Sequence, residues 1–157
     1  MILYLDASAI VKQYTGEQGF REVETVLAQA ESIGTALISR AEVAAALAKA
    51  VRLKMLAPDA GIRAARVFRS DWLTLVRVPV TELVVARADA VAWEHGLRGY
   101  DAVHLATALS WHEAMGSQVT LATFDRGLWL AARRVGLSAW PDDLPALLEQ
   151  WQANSDK

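Results

Sequence analysis

Two hydrophobic periods alternate along the chain. Ile2-Leu3-Tyr4-Leu5 is an uncharged, β-prone run that stops at Asp6-Ala7-Ser8, which predicts a central strand covered on both faces, followed by a short helix from about Ile10 to Tyr14. Phe20, Val23, Val26, Leu27 and Ala30 recur at helical spacing and predict a helix over 18–30, ended before Gly34. Thr35 to Ile38 reads as a second strand. Ser39-Arg40-Ala41-Glu42 then matches a capping box opening a helix to about Lys54. Pro58 starts another helix to Trp72, and the pair forms a protruding helical hairpin with Ile62, Ala65, Phe68 and Trp72 on one face.

The second half repeats the alternation. Leu73 to Val80 reads as a third strand, and Thr81 caps a helix to about His95. Gly96 and Gly99 bracket a tight loop. Beyond it Tyr100-Asp101-Ala102-Val103-His104-Leu105 opens a helix apolar on most sides, hence buried. Gln118 to Thr123 is a fourth strand running into Phe124-Asp125, with a helix from Arg126 to Val135. Leu137 to Trp140 makes a fifth, edge strand, and Asp142 or Asp143 caps a last helix to about Trp151. Alternating strands and helices predict an α/β fold with a parallel sheet of four or five strands between helical layers, joined by right-handed crossovers. We expect one domain over residues 1–152 and a C-terminal tail over 153–157.

Composition narrows the chemistry. No residue is cysteine, which removes disulfides and thiolate metal sites. The longest stretches without Asp, Glu, Lys or Arg are eleven residues, short of the roughly 18 that a membrane span takes. With no basic, apolar leader before Asp6, a soluble cytoplasmic protein is expected. The net charge of −2 advertises neither nucleic acid nor membrane. Setting four of the eighteen acids aside in a site leaves sixteen bases in the majority, twelve of them Arg, the residue suited to bidentate phosphate contacts.

Those four acids are Asp6, Glu42, Asp101 and Asp125. Three follow a predicted strand within a few residues, and Asp101 opens the buried helix after a glycine-flanked loop. In an open α/β sheet such positions face the crevice beyond the carboxyl ends of the strands. Each acid alone also fits a helix cap, Glu42 most of all. Together they fit a carboxylate cluster, in which a pair about 4 Å apart repels by about 4 kcal/mol at an effective dielectric of 20 and so calls for a cation. Oxygen-only ligands select Mg²⁺ or Mn²⁺, which suits phosphodiester hydrolysis.

Leu5-Asp6-Ala7-Ser8-Ala9, Glu42 in Ser-Arg-Ala-Glu, the run Tyr100 to Ala108 and Thr123-Phe124-Asp125-Arg126-Gly127-Leu128 resemble, in order and spacing, the motifs of PIN-domain proteins, in particular VapC-type toxin ribonucleases of toxin–antitoxin modules. The resemblance implies a PIN-like three-layer α/β/α fold, a Mg²⁺- or Mn²⁺-dependent endoribonuclease acting on RNA, a homodimer and inhibition by a small antitoxin. By position it implies Asp6 and Asp101 as principal metal ligands, Glu42 and Asp125 acting through water or a second metal, and Ser8 and Thr123 as hydroxyl support.

Other residues are weighed against plainer roles. His104 shares a helix face with Asp101, but its apolar neighbours favour a buried histidine satisfied by backbone. Arg63, Arg66 and Arg69 form a stripe that either grips phosphates or a partner's acids, or is a solvated helix face. Arg126, beside Asp125 at a helix start, is placed for substrate phosphate or for Asp125 itself. The six Trp residues suit core or dimer packing better than base stacking. A receiver-type phosphoacceptor domain requires a lysine after the last strands, and Lys12, Lys49, Lys54 and Lys157 do not supply it. A catalytically silent RNA- or partner-binding module has no use for four mutually repelling acids.

Overall fold

A computed structural model describes residues 1–155. Five parallel strands form one sheet in the order β3-β2-β1-β4-β5: β1 (Ile2–Leu5), β2 (Ser32–Ala36), β3 (Val76–Val78), β4 (Val119–Ala122) and β5 (Ser138–Trp140). The helices are α1 (Ala7–Thr15), α2 (Phe20–Leu27), α3 (Ser39–Arg52), α4 (Pro58–Asp71), α5 (Glu82–His95), α6 (Gly99–Met115), α7 (Arg126–Arg134) and α8 (Leu144–Ser155). Strand order reverses between β1 and β4, so their carboxyl ends open a crevice at the middle of the sheet.

The pleat of β1 divides the core in two. Leu3 and Leu5 pack with Ala9, Ile10, Val43, Leu47, Phe68 and Trp72 on one face, whereas Tyr4 points the other way into a cluster with Leu105, Trp111, Leu121, Leu128 and Leu144. Helices α1 to α4 thus cover one side and α5 to α8 the other. The expected three-layer α/β/α architecture with a central parallel sheet is the one observed.

Several boundaries move, each for a local reason. α1 begins at Ala7 because Asp6 is itself the N-cap, accepting the Ala9 N–H. β2 runs through Gly34 instead of starting after it, since Gly34 lies against the Trp111 ring, where a side chain has no room. β3 is shorter than its apolar run, because Leu73 and Thr74 are bonded to Ser70 and Asp71 in the turn that ends α4. In the hairpin the packed face of α4 is Gly61, Ala64 and Phe68 with Ala65 half-buried beside them and Trp72 beyond, whereas Ile62 points out. The hairpin packs against α1, while its tip around Leu53 to Met55 and the outer face of α4 are exposed. Asp143 caps α8 through the Ala146 N–H. That helix continues to Ser155, past the start expected for a tail at 153; residues 156 and 157 lie outside the described residues.

A Cβ on Gly34 would sit 2.6 Å from the Trp111 ring. Gly34→Ala is therefore expected to lower stability by about 1–3 kcal/mol, as overpacking of a tight core does, and Trp111→Leu in the same chain to recover part of the loss. Denaturant melts of the two proteins check this, and an unchanged midpoint in Gly34→Ala would refute the close contact.

Candidate active site

Asp6, Glu42, Asp101 and Asp125 line one cavity of about 250 Å³, together with Ala7, Ser8, Arg98, His104 and Phe124. The sheet explains the convergence. β1 delivers Asp6, the β4–α7 turn delivers Asp125, α3 carries Glu42 in its first turn and α6 carries Asp101 in its own.

Asp6 is 3% exposed. Its Oδ1 accepts the Ala9 N–H at 2.9 Å and the Ser8 hydroxyl at 2.7 Å, and its Oδ2 accepts the Thr123 hydroxyl at 2.7 Å. Burial nevertheless pushes its pKa above the usual carboxylate range, with His104, Thr123, Ser8 and the Ala9 N–H opposing. The hydroxyls are themselves fixed: Ser8 Oγ accepts the Phe124 N–H and Thr123 Oγ1 accepts the Asp125 N–H. Ser8 and Thr123 thus connect the end of β1 to the end of β4.

Asp125 caps α7, its Oδ1 accepting the Leu128 N–H at 2.9 Å. Its Oδ2 accepts from Arg98 Nη2 at 2.8 Å, and Asp101 Oδ2 accepts from Arg98 Nε at 2.8 Å. Asp101 is pushed upward by burial and by Asp125, against the pull of Arg98. Arg98 is a residue the sequence reading passed over. Its signal was its place, between Gly96 and Gly99 and three residues before Asp101, the spacing at which an Arg and an Asp can pair.

Glu42 is not a capping-box acid. Ser39 turns its hydroxyl to Thr35 at 2.6 Å, and the Glu42 carboxylate meets His104 Nε2 at 2.7 Å. His104 is buried as expected, but side chains satisfy it, with Nδ1 lying 2.9 Å from the Tyr4 hydroxyl. Burial holds the Tyr4 proton well above the ordinary phenol range. The Glu42 carboxylate accepts from His104 Nε2, and the Tyr4 hydroxyl meets the other ring nitrogen, so both nitrogens are partnered.

The arginine expectations divide. Arg126 is exposed and absent from the cavity wall, and Arg98 takes the place beside Asp125. Arg63, Arg66 and Arg69 are exposed on α4 and do not line the cavity. Trp72, Trp111 and Trp129 are buried, whereas Trp93 is 86% exposed.

The donor set, four carboxylates beside two hydroxyls and no thiolate, fits a hard divalent cation. Each acid is turned to a partner within the protein, and among the described residues no three Asp, Glu or His side chains converge closely enough to share an ion. Binding one would therefore require a rearrangement of these side chains.

Comparison with known proteins agrees with the fold. The PIN-domain family model matches residues 3–134. Ribonuclease VapC45 of Mycobacterium tuberculosis is 34% identical over 144 residues, covering 91% of this chain and 97% of the relative. Among solved structures, a protein of Pyrobaculum aerophilum superposes with a TM-score of 0.63 at 21% identity, covering 95% of this chain and 90% of its own. A toxin–antitoxin complex from Klebsiella pneumoniae gives 0.58 at 21% identity, covering 80% and 87%. No helix among the described residues is long and apolar enough to cross a membrane. With most of its length matched by the family model and by a close-length relative, the chain belongs to the PIN-domain family, among its VapC-type members.

Proposed function

We propose that this protein is an endoribonuclease of the cytoplasm, the toxin of a toxin–antitoxin pair, hydrolysing RNA phosphodiester bonds with Mg²⁺ or Mn²⁺ held by its carboxylates. The observation that carries the reading is the shared cavity of Asp6, Glu42, Asp101 and Asp125; the relative named as a ribonuclease supports it. Asp6 and Asp101 are the principal ligands, and Glu42 and Asp125 act through water or a second ion. A bound ion supplies an activated water and neutralises charge at the leaving oxygen.

The chain's own groups prepare that site. Ser8, Thr123 and the Ala9 N–H hold Asp6 in one orientation with its charge pointed at the cavity. His104 fixes Glu42 by donating from Nε2. The Leu128 N–H fixes one oxygen of Asp125 and leaves the other for the cavity. The nuclease unit spans residues 1–152.

Two apolar surfaces suit partners. Leu53, Met55, Ile62 and Val67 are exposed on the α3–α4 hairpin, and there an antitoxin lays an apolar helix and pushes a cationic side chain toward the acids. The likeness in fold to the Klebsiella toxin–antitoxin complex supports an antitoxin as the partner. Leu83, Val85 and Trp93 on α5 are exposed as well and serve a homodimer.

RNA cleavage by the purified protein should depend on Mg²⁺ or Mn²⁺ and stop in EDTA. Asp101→Asn should lower the rate more than about 100-fold, beyond the usual cost of losing an outer-sphere partner, with the fold intact by circular dichroism. Undiminished cutting in EDTA, or by Asp101→Asn, rules the mechanism out.

A stability measurement addresses the ligand role of Asp6. An acid whose folded pKa is raised binds its proton more tightly folded than unfolded, so its contribution to stability falls as pH climbs from the ordinary carboxylate range through the raised value. In EDTA near neutral pH, Asp6→Asn should therefore melt higher than the wild type. In saturating Mg²⁺ the gap should close or reverse, because the wild type gains RT ln(1 + [L]/Kd) and the variant forfeits most of it. Equal melts under both conditions reject Asp6 as a ligand.

A further inference from the structure

Arg98 stands where the proposed site is most negative. Among the described residues lining the cavity it is the one permanently cationic side chain, set against four carboxylates. Its guanidinium does not fork onto one acid. Nε goes to Asp101 and Nη2 to Asp125, each at 2.8 Å, so a single planar group bridges two carboxylates from different elements.

The oxygens involved matter. Asp125 Oδ1 is committed to capping α7, which leaves Oδ2 as the oxygen this acid can offer to a cation, and Arg98 holds it. An ion taking Asp125 and Asp101 together must meet atoms that Arg98 now binds.

Packing does not lock Arg98 in place. Its side chain is 78% exposed, and exposed ion pairs hold weakly. Its backbone is anchored, in extended conformation, as the cap of α6, after the left-handed turn at Gly96. Arg98 also lines a second, larger cavity of about 770 Å³, whose wall runs from Val85 and Ala88 to Tyr100 and Val103 and which shares Glu42 and Asp101 with the first. Because Arg98 lines both cavities, a rotation about its side-chain bonds would carry the guanidinium from one to the other with the Cα in place.

We infer that Arg98 is a displaceable internal counter-ion: it neutralises Asp101 and Asp125 in the ion-free protein, yields both to a divalent cation, and once released binds a phosphate of the RNA at the mouth of the adjoining groove. The inference rests on the metal-nuclease reading above and adds to it a residue that lowers ion affinity in the free protein and raises RNA affinity in the loaded one. Guanidinium geometry suits both duties, since the same fork that meets carboxylates meets phosphate oxygens.

The test uses the full chain and Mn²⁺ alone as the first probe, with binding followed by electron paramagnetic resonance or calorimetry for wild type, Arg98→Gln, Arg98→Lys and Asp101→Asn. Without RNA, Arg98→Gln should bind Mn²⁺ about tenfold more tightly than wild type, a decade being 1.4 kcal/mol, with Arg98→Lys between them. The second probe is a short single-stranded 2′-O-methyl RNA in saturating Mn²⁺. Its affinity should fall in Arg98→Gln, and the slope of log affinity against log salt should shrink by about 0.7, the share of one phosphate contact on a single strand. If Asp101→Asn abolishes Mn²⁺ binding but Arg98→Gln binds no more tightly than wild type, the counter-ion role is overturned and the metal site stands. If RNA affinity and salt slope do not change in Arg98→Gln, the phosphate role is overturned. A wild type that shows no Mn²⁺ binding sensitive to Asp101→Asn overturns the metal reading and this inference with it.

Discussion

The structure depends on keeping one buried carboxylate at the end of its central strand. An ion stripped of water costs several kcal/mol unless hydrogen bonds replace the lost hydration, and Asp6 recovers part of that from three donors, burial still outweighing them. Two donors, the Ser8 hydroxyl and the Ala9 N–H, sit in the first turn of α1, and the third, the Thr123 hydroxyl, follows the end of β4. The Asp6 N–H also donates to Ala122 on that strand. The carboxylate therefore acts as a joint: the strand pairing at the topological switch, the start of α1 and the turn before α7 are all defined relative to it.

From Tyr4 a second line of hydrogen bonds leads out of the core. Tyr4 is fully buried two residues before Asp6, on the side of β1 opposite Leu3 and Leu5, and reaches Glu42 through His104. Asp6 and Glu42 thus lie at the two outlets of one short stretch of β1. A hydrogen-bonded chain in a low-dielectric interior is stronger than its links taken singly, so the orientation of Glu42 is set by the sheet as much as by its own helix.

Much of the fold was legible because periodicity and burial are local properties. Ile2 to Leu5 could hardly be anything but a covered strand, and the uncharged body of α6 could only be interior. Positions governed by distant partners were not legible. Gly34 reads as a terminator until Trp111, far along the chain, is known to occupy the space beside it. Ser39 and Glu42 match a capping box, yet Thr35 and His104 outbid the local partners for both side chains. At the site, the convergence of the four acids followed from their common place after strands and loops. Arg98 escaped notice because an exposed arginine beside glycines looks like ordinary surface; its meaning comes from Asp125, 27 residues on.

α6 is buried through its middle, with Ala102, the run from His104 to Leu109 and Trp111 all inside. It cannot slide or turn without disturbing both the sheet and α5, so the separation between Asp101 and His104 behaves as a fixed ruler laid across the site. A larger side chain at one of these buried positions would shift the site itself, whereas a change on the exposed faces of α4 and α5 leaves the ruler unmoved.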